Sequence, residues 1–225
     1  MKKSYWLIPF IPQTILRIFS KVIVLIFLRP KIRGLENLEN LEGGFILASN
    51  HINEFDPVIL LSAFPYRSYF WPVFFVAMTK ENYKHKGLRG RLIYGGFLFR
   101  LLGALPAYLG VKDYAVSLRH HLEALNNGGI DYIFPEGKVN LGDKKRGAKG
   151  GIGFLAAETD RPVLPVYISG TEYNGFWSDL FLFKRKMRIV VGEPIFYNDS
   201  YEDKSVQSFK SFSQDVLNNI FNLGK

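Results

Sequence analysis

Apolar residues along the chain fall into two patterns. Short continuous runs at Phe45–Ser49, Val73–Met78, 104–108, 130–134, 163–168 and 187–191 have the length of buried strands. Between them lie stretches with apolar positions at helical spacing. One starts at Asp56-Pro57, with Asp at the N-cap and Pro at the first helical position. Others cover 88–102, which carries Arg89, Arg91 and Arg100, then 112–126, stopped by Gly128-Gly129, then 152–158 and 205–221. Residues 31–35 read as a short edge segment, and Glu42-Gly43-Gly44 as a turn. No internal repeat and no linker interrupts this alternation. It predicts an α/β fold over residues 31–225: a single layered domain with a largely parallel mixed sheet flanked by helices.

Residues 1–30 are of another kind. From Trp6 to Leu28 the chain is mostly apolar, but Pro9, Pro12, Gln13, Arg17, Ser20 and Lys21 interrupt it. A bilayer-spanning helix wants about 20 predominantly apolar residues, and the one clean run here is 22–28. No small-residue cleavage site follows. A helix from about residue 13 to 28 puts Gln13, Arg17, Ser20 and Lys21 on one stripe. That predicts an amphipathic helix lying in a membrane interface, or one covering the domain's own core.

Composition narrows the chemistry. At 48% hydrophobic residues the chain can bury a substantial core, which excludes the disordered class. The formal charge of +9 favours an anionic partner: a membrane surface, a nucleic acid or a phosphorylated substrate. Cysteine is absent, which removes disulfides, thiolate nucleophiles and cysteine-based zinc sites. The 20 Phe and 12 Tyr suit either a lipid interface or an aromatic core. Segment 138–151 holds five basic residues and four glycines with almost nothing apolar, so it reads as a basic loop.

Two polar blocks follow buried runs. In 50–57 (NHINEFDP), His51 and Asp56 are five positions apart, so they cannot share one helical face. They can meet if His51 lies in a turn and Asp56 begins the next helix. The Asp would then fix the imidazole tautomer and leave the other ring nitrogen to accept a proton. Spacing alone equally allows Asp56 as a cap and His51 as a turn residue. The second block, Phe134-Pro135-Glu136-Gly137, also ends a buried run, so a parallel sheet would bring it to the same edge as His51.

H-x-x-x-x-D followed by F-P-E-G resembles the glycerol-phosphate and lysophosphatidate acyltransferase family. The lead-in Arg33-Gly34-Leu35-Glu36-Asn37-Leu38, the block Val163-Leu164-Pro165-Val166 and the closing Gly192-Glu193-Pro194-Ile195 extend the resemblance over about residues 32–195. It implies an O-acyltransferase with His51 as general base on an acceptor hydroxyl and Asp56 as its partner. Phe134, Pro135, Glu136 and Gly137 would help bind the acceptor, with Lys138 beside them. The implied donor is an acyl-CoA or acyl-carrier-protein thioester and the acceptor a lysolipid. No metal or redox cofactor and no nucleic acid is implied. The apolar N-terminus and the basic surplus suggest a setting on an anionic membrane surface, at the cytoplasmic face.

The pattern is not complete. Leu109 and Val139 stand where the family usually carries arginines that hold an acceptor phosphate. Arginine is hard to replace in bidentate phosphate recognition. The sequence therefore predicts a poor fit for a bare phosphomonoester, unless Lys138 or Lys144-Lys145-Arg146 supplies the charge. Competing readings are a non-catalytic basic module on membranes or nucleic acid, and a thioesterase using water. His85, His120 and His121 read as surface residues, and Lys184-Arg185-Lys186 with Arg188 as a charged edge.

Overall fold

The computed structural model describes residues 4–39, 41, 43–65, 72–78, 100–108, 110, 111, 113–140, 147–172, 186–201 and 203–225. Every expected apolar run becomes a strand, and the edge segment supplies one more. They are β1 (Lys31–Arg33), β2 (Phe45–Ser49), β3 (Val73–Met78), β4 (Ala104–Ala107), β5 (Ile130–Ile133), β6 (Val163–Ser169) and β7 (Arg188–Val191). They form one seven-stranded sheet in the order β1-β7-β6-β2-β5-β3-β4. The five strands from β6 to β4 run parallel. β7 is antiparallel to β6, and β1 is parallel to β7. The sheet is thus largely parallel and mixed, as expected, with β1 at its edge.

Alternation along β2 builds a layer on each face. Phe45 and Leu47 join Tyr132, Leu164 and Val166 beneath α2 (Asp56–Ala63) and the π-helical turn Val24–Leu28. Ile46 and Ala48 join Ile133 and Val163 beneath α5 (Gly151–Thr159) and α6 (Val206–Asn222). Gly153 is where α5 meets α6, since a Cβ there would run into the Phe209 backbone. Ser205 caps α6, its hydroxyl accepting the Ser208 N–H at 3.1 Å.

Two expectations change here. The helix expected over 112–126 is two: α3 (Tyr114–Ser117) and α4 (Arg119–Asn126). The end of β4 causes the break. Tyr108 N–H donates to the Ser117 carbonyl at 3.2 Å, and the Ser117 hydroxyl to the Tyr108 carbonyl at 2.9 Å, which diverts the Ser117 carbonyl from the helical ladder. His121, expected at the surface, is fully buried, with Nδ1 at 2.9 Å from Asp131 of β5. Of two adjacent histidines on a helix, one can face the sheet; an inward carboxylate makes that position tenable. The helix over 88–102 lies outside the described residues except at its end, as do His85, Leu109, Lys144-Lys145-Arg146, Lys184 and Arg185.

The N-terminal helix α1 (Ser4–Ile23) begins earlier than expected and runs through Pro9 and Pro12. Its polar stripe turns inward. The Gln13 side-chain amide donates to the Val73 and Leu102 carbonyls (2.7 and 2.9 Å) and accepts the Val73 N–H at 3.1 Å. Arg17 donates to the Phe64 carbonyl at the end of α2 (2.6 Å), and the Ser20 and Ser62 hydroxyls meet at 2.6 Å. The apolar positions Ile8, Ile11, Ile15, Ile18, Phe19 and Val22 point outward instead, from 51% to 71% exposed. The polar side chains face in because strand and helix ends leave backbone groups needing partners.

Candidate active site

Three neighbouring parallel strands, β6, β2 and β5, end at one edge of the sheet, and each delivers one part of the site. After β2 the chain turns through His51 and enters α2. His51 Nδ1 lies 3.2 Å from Asp56 Oδ2. Asp56 sits in the first helical position rather than at the N-cap, and its carboxylate caps nothing within α2. It faces back into the turn, where Oδ2 also accepts the N–H groups of Ile52 and Asn53, each at 2.8 Å. Its other oxygen, Oδ1, is 2.9 Å from the Thr171 hydroxyl, beyond β6.

These contacts determine the imidazole tautomer. Two backbone N–H groups already donate to Oδ2, so that oxygen is an acceptor. The ring nitrogen facing it must therefore donate, which puts the proton of neutral His51 on Nδ1 and leaves Nε2 with a free lone pair. Asp56 is completely buried, while the His51 side chain keeps 14% of its surface open. The arrangement can therefore take a proton from a group entering at Nε2 and hold the resulting imidazolium against a buried carboxylate.

β5 supplies the opposite wall. The Phe134 ring stacks on His51, with centroids 3.8 Å apart and planes 11° from parallel. Stacking restricts rotation of the imidazole and keeps its face dry. The Asn140 N–H donates to the His51 carbonyl at 2.6 Å, tying the segment after Gly137 to the first block. Below the dyad, the Tyr132 hydroxyl lies 2.6 Å from Ser49. Burial, then the charge of Asp56, pushes the Tyr132 phenol well above its ordinary range, while the Ser49 contact opposes this. Tyr132 thus stays protonated and cannot serve as a base.

His51 opens onto a cavity of about 630 Å³ with mostly apolar walls. Phe134, Pro135, Gly137, Lys138 and Val139 line it, together with Leu16, Val58, Leu61 and Phe75. That size suits a small-molecule site. Glu136 differs from its expected place: it is 3% exposed and does not line the cavity. In the tight turn closed by Gly137 N–H to the Phe134 carbonyl (3.0 Å), neighbouring side chains diverge, and Glu136 goes into the protein. The same bond engages the Gly137 N–H.

Sequence reasoning passed over several residues of the site. Lys149 lines the cavity, its N–H donating to the Pro135 carbonyl at 2.9 Å and its side chain lying along Gly137. A Cβ on Gly137, whose φ is +69°, would come within 3.0 Å of that lysine stem. Asn50 and Asn53 staple the His51 turn to the end of β6. Asn50 exchanges two 2.8 Å hydrogen bonds with the Ile168 backbone, and the Asn53 amide donates to the Thr171 carbonyl at 2.8 Å. Polar residues flanking a motif histidine were the available signal for the asparagines. Nothing local marked Thr171.

Comparison with known proteins places this geometry. Residues 29–169 match the family model described as Acyltransferase. The chain is 23% identical over 186 residues to the chloroplastic 1-acyl-sn-glycerol-3-phosphate acyltransferase BAT2 of Brassica napus. That alignment covers 81% of this chain and 49% of the plant protein, so the chain spans about half the length of that relative. Among solved structures, PlsC of Thermotoga maritima, a 1-acyl-sn-glycerophosphate (LPA) acyltransferase, superposes with a TM-score of 0.60 at 21% identity. The superposition covers 92% of this chain and 77% of that one, and it establishes a shared fold.

Proposed function

The chain belongs to the acyltransferase family, and on that premise we propose that it transfers a fatty acyl group from a thioester to the hydroxyl of a lysolipid. The observation that carries this reading is the His51–Asp56 pair, oriented by two backbone donors and opening into an apolar cavity. In the proposed reaction His51 Nε2 takes the acceptor's hydroxyl proton as its oxygen attacks the thioester carbonyl. Asp56 stabilises the imidazolium. When the tetrahedral intermediate collapses, the C–S bond breaks, the C–O ester remains, and His51 returns the proton to the departing sulfur. The thioester is already activated, so the reaction needs no further cofactor. The donor is an acyl-CoA or an acyl-carrier protein, and the cavity holds the acyl chain.

The test is thiol release from long-chain acyl-CoA and from acyl-carrier protein, with and without lysolipid, with mass spectrometry of the lipids formed. Release is expected with at least one donor and only when lysolipid is present, with one new ester per thiol. Lysolipid-independent release would mean a thioesterase, and no release from either donor a non-catalytic module.

The acceptor headgroup is proposed to meet Lys138 and Lys149, both exposed and both on the cavity wall. Lysines act as point charges without the planar fork of the arginines replaced at positions 109 and 139. Phosphate selectivity should therefore be weak and salt-sensitive. In competition, lysophosphatidate should not displace a zwitterionic lysolipid of equal chain length by a wide margin. Lys149→Ala should raise the KM for lysophosphatidate roughly two- to fivefold, the range for an exposed ion pair, and hardly change that for the zwitterion. A strong lysophosphatidate preference that survives high salt and Lys149→Ala would rule this assignment out.

A further inference from the structure

We propose that Thr171 is a positioning residue for the reaction, holding Asp56 in the one orientation that supports His51. The inference rests on His51 being the base.

Asp56 has two oxygens with different partners. Oδ2 faces the His51 turn and accepts from Nδ1 and two backbone N–H groups. Oδ1 points the other way, and the Thr171 hydroxyl meets it at 2.9 Å in a region with no solvent access to either residue. Removing that hydroxyl leaves a carboxylate oxygen buried without a donor from residue 171. A buried charge that loses a hydrogen bond is strongly disfavoured. The carboxylate then gains by rotating or by taking a proton, and either change spoils the acceptor that orients Nδ1–H.

Thr171 is placed for this from a distance. β6 pairs in parallel with β2, so its carboxyl end arrives beside the His51 turn. The chain then bends at Gly170, where φ is +90° and a Cβ would meet the Lys186 carbonyl oxygen. The Thr171 carbonyl accepts the Asn53 amide at 2.8 Å, so Thr171 is tied to the turn at both its backbone and its side chain. Such a double tie fixes the hydroxyl's direction, which packing alone would leave free to rotate. It also makes the site a product of three strands: the base follows β2, its stacking wall follows β5, and the anchor of its carboxylate follows β6.

The experiment is a side-chain series at 171 in the full chain, read as separate kcat and KM for acyl transfer. Thr171→Val keeps the shape and loses the donor. It should lower kcat roughly ten- to a hundredfold, as expected for a lost hydrogen bond to a charged group, with the lysolipid KM unchanged. Thr171→Ser should restore most of the rate, and Thr171→Ala should fall between them, because its smaller side chain leaves room for a water to donate. If the valine variant does not fold, the order of serine over alanine carries the test. Combining Thr171→Val with His51→Ala tells positioning from general damage. A residue acting through Asp56 and His51 should cost nothing further once His51 is gone. A folded valine variant with kcat within twofold of wild type overturns the proposal. So does serine no faster than alanine, a loss that appears in KM, or an undiminished loss in the His51→Ala background. If His51→Ala itself is fully active, the underlying reading of the base fails instead, whatever residue 171 does.

Discussion

His51→Ala should lower acyl transfer by roughly 10²–10⁴-fold, the usual contribution of a positioned general base, while the protein still folds. The fold should survive because the imidazole is partly open to the cavity and its removal leaves Asp56 with three donors: Ile52 N–H, Asn53 N–H and Thr171 hydroxyl. What is lost is the group with a free lone pair at the cavity wall. Steady-state turnover, set beside circular dichroism and thermal unfolding, checks both halves. A folded His51→Ala protein turning over at near the wild-type rate would sink the mechanism.

Asp56→Asn sharpens this contrast. If Asp56 were an N-cap, Asn would serve nearly as well, but Asp56 caps nothing within α2. Stability should still be largely kept for another reason. The Asn carbonyl can accept from Ile52 and Asn53, while its NH₂ faces the Thr171 hydroxyl, which can turn to accept. The negative charge that supports the imidazolium is gone, so activity should fall nearly as far as with His51→Ala.

The strands and the two motif blocks were legible in the sequence because apolar runs and strand-to-helix turns are local signals. That His51 and Phe134 share an edge followed from assuming parallel strands, and β2 and β5 are in fact neighbours. What local pattern cannot carry is strand order. Thr171 matters only because β6 lies on the other side of β2, and nothing in Ser169-Gly170-Thr171 announces that. Lys149 shares its basic segment with the denser cluster at 144–146, and charge density says nothing about which lysine meets a cavity. Which way α1 faces is illegible for a related reason. Helical spacing puts Gln13, Arg17 and Ser20 on one stripe, but a stripe's direction depends on where backbone groups need partners, here at Val73, Leu102 and Phe64.

That inverted helix leads to the second large effect. Ile15→Asp with Phe19→Asp should abolish most binding to lipid vesicles and leave thermal stability unchanged. Both side chains are largely exposed, at 51% and 71%, and they belong to an outward apolar stripe that continues through Leu25 and Ile26. Residues Ile8–Leu28 are long and apolar enough to cross a bilayer by length and composition. Gln13 and Arg17 bind the helix's other face to the domain, so the apolar stripe is the face a lipid surface would meet. Burying two large apolar side chains is worth roughly 1.5–3 kcal/mol each. Replacing both should therefore weaken vesicle binding by about a hundredfold or more. The point variants are better probes than deletion of residues 1–28, because deletion also removes the Gln13 and Arg17 contacts and the buried Val24 and Leu28. Cosedimentation with anionic and neutral vesicles separates the contributions: salt should weaken the excess binding to the anionic ones, and the double substitution should weaken both. Unchanged cosedimentation of a folded double variant would remove α1 as the anchor. The inward side of the same helix, through Gln13, Leu16, Arg17 and Ser20, lines the cavity that His51 opens onto. A lysolipid held in the leaflet would then be separated from the site by a single helix, so the double variant should lose turnover on vesicle-borne acceptor while keeping it on acceptor presented in detergent.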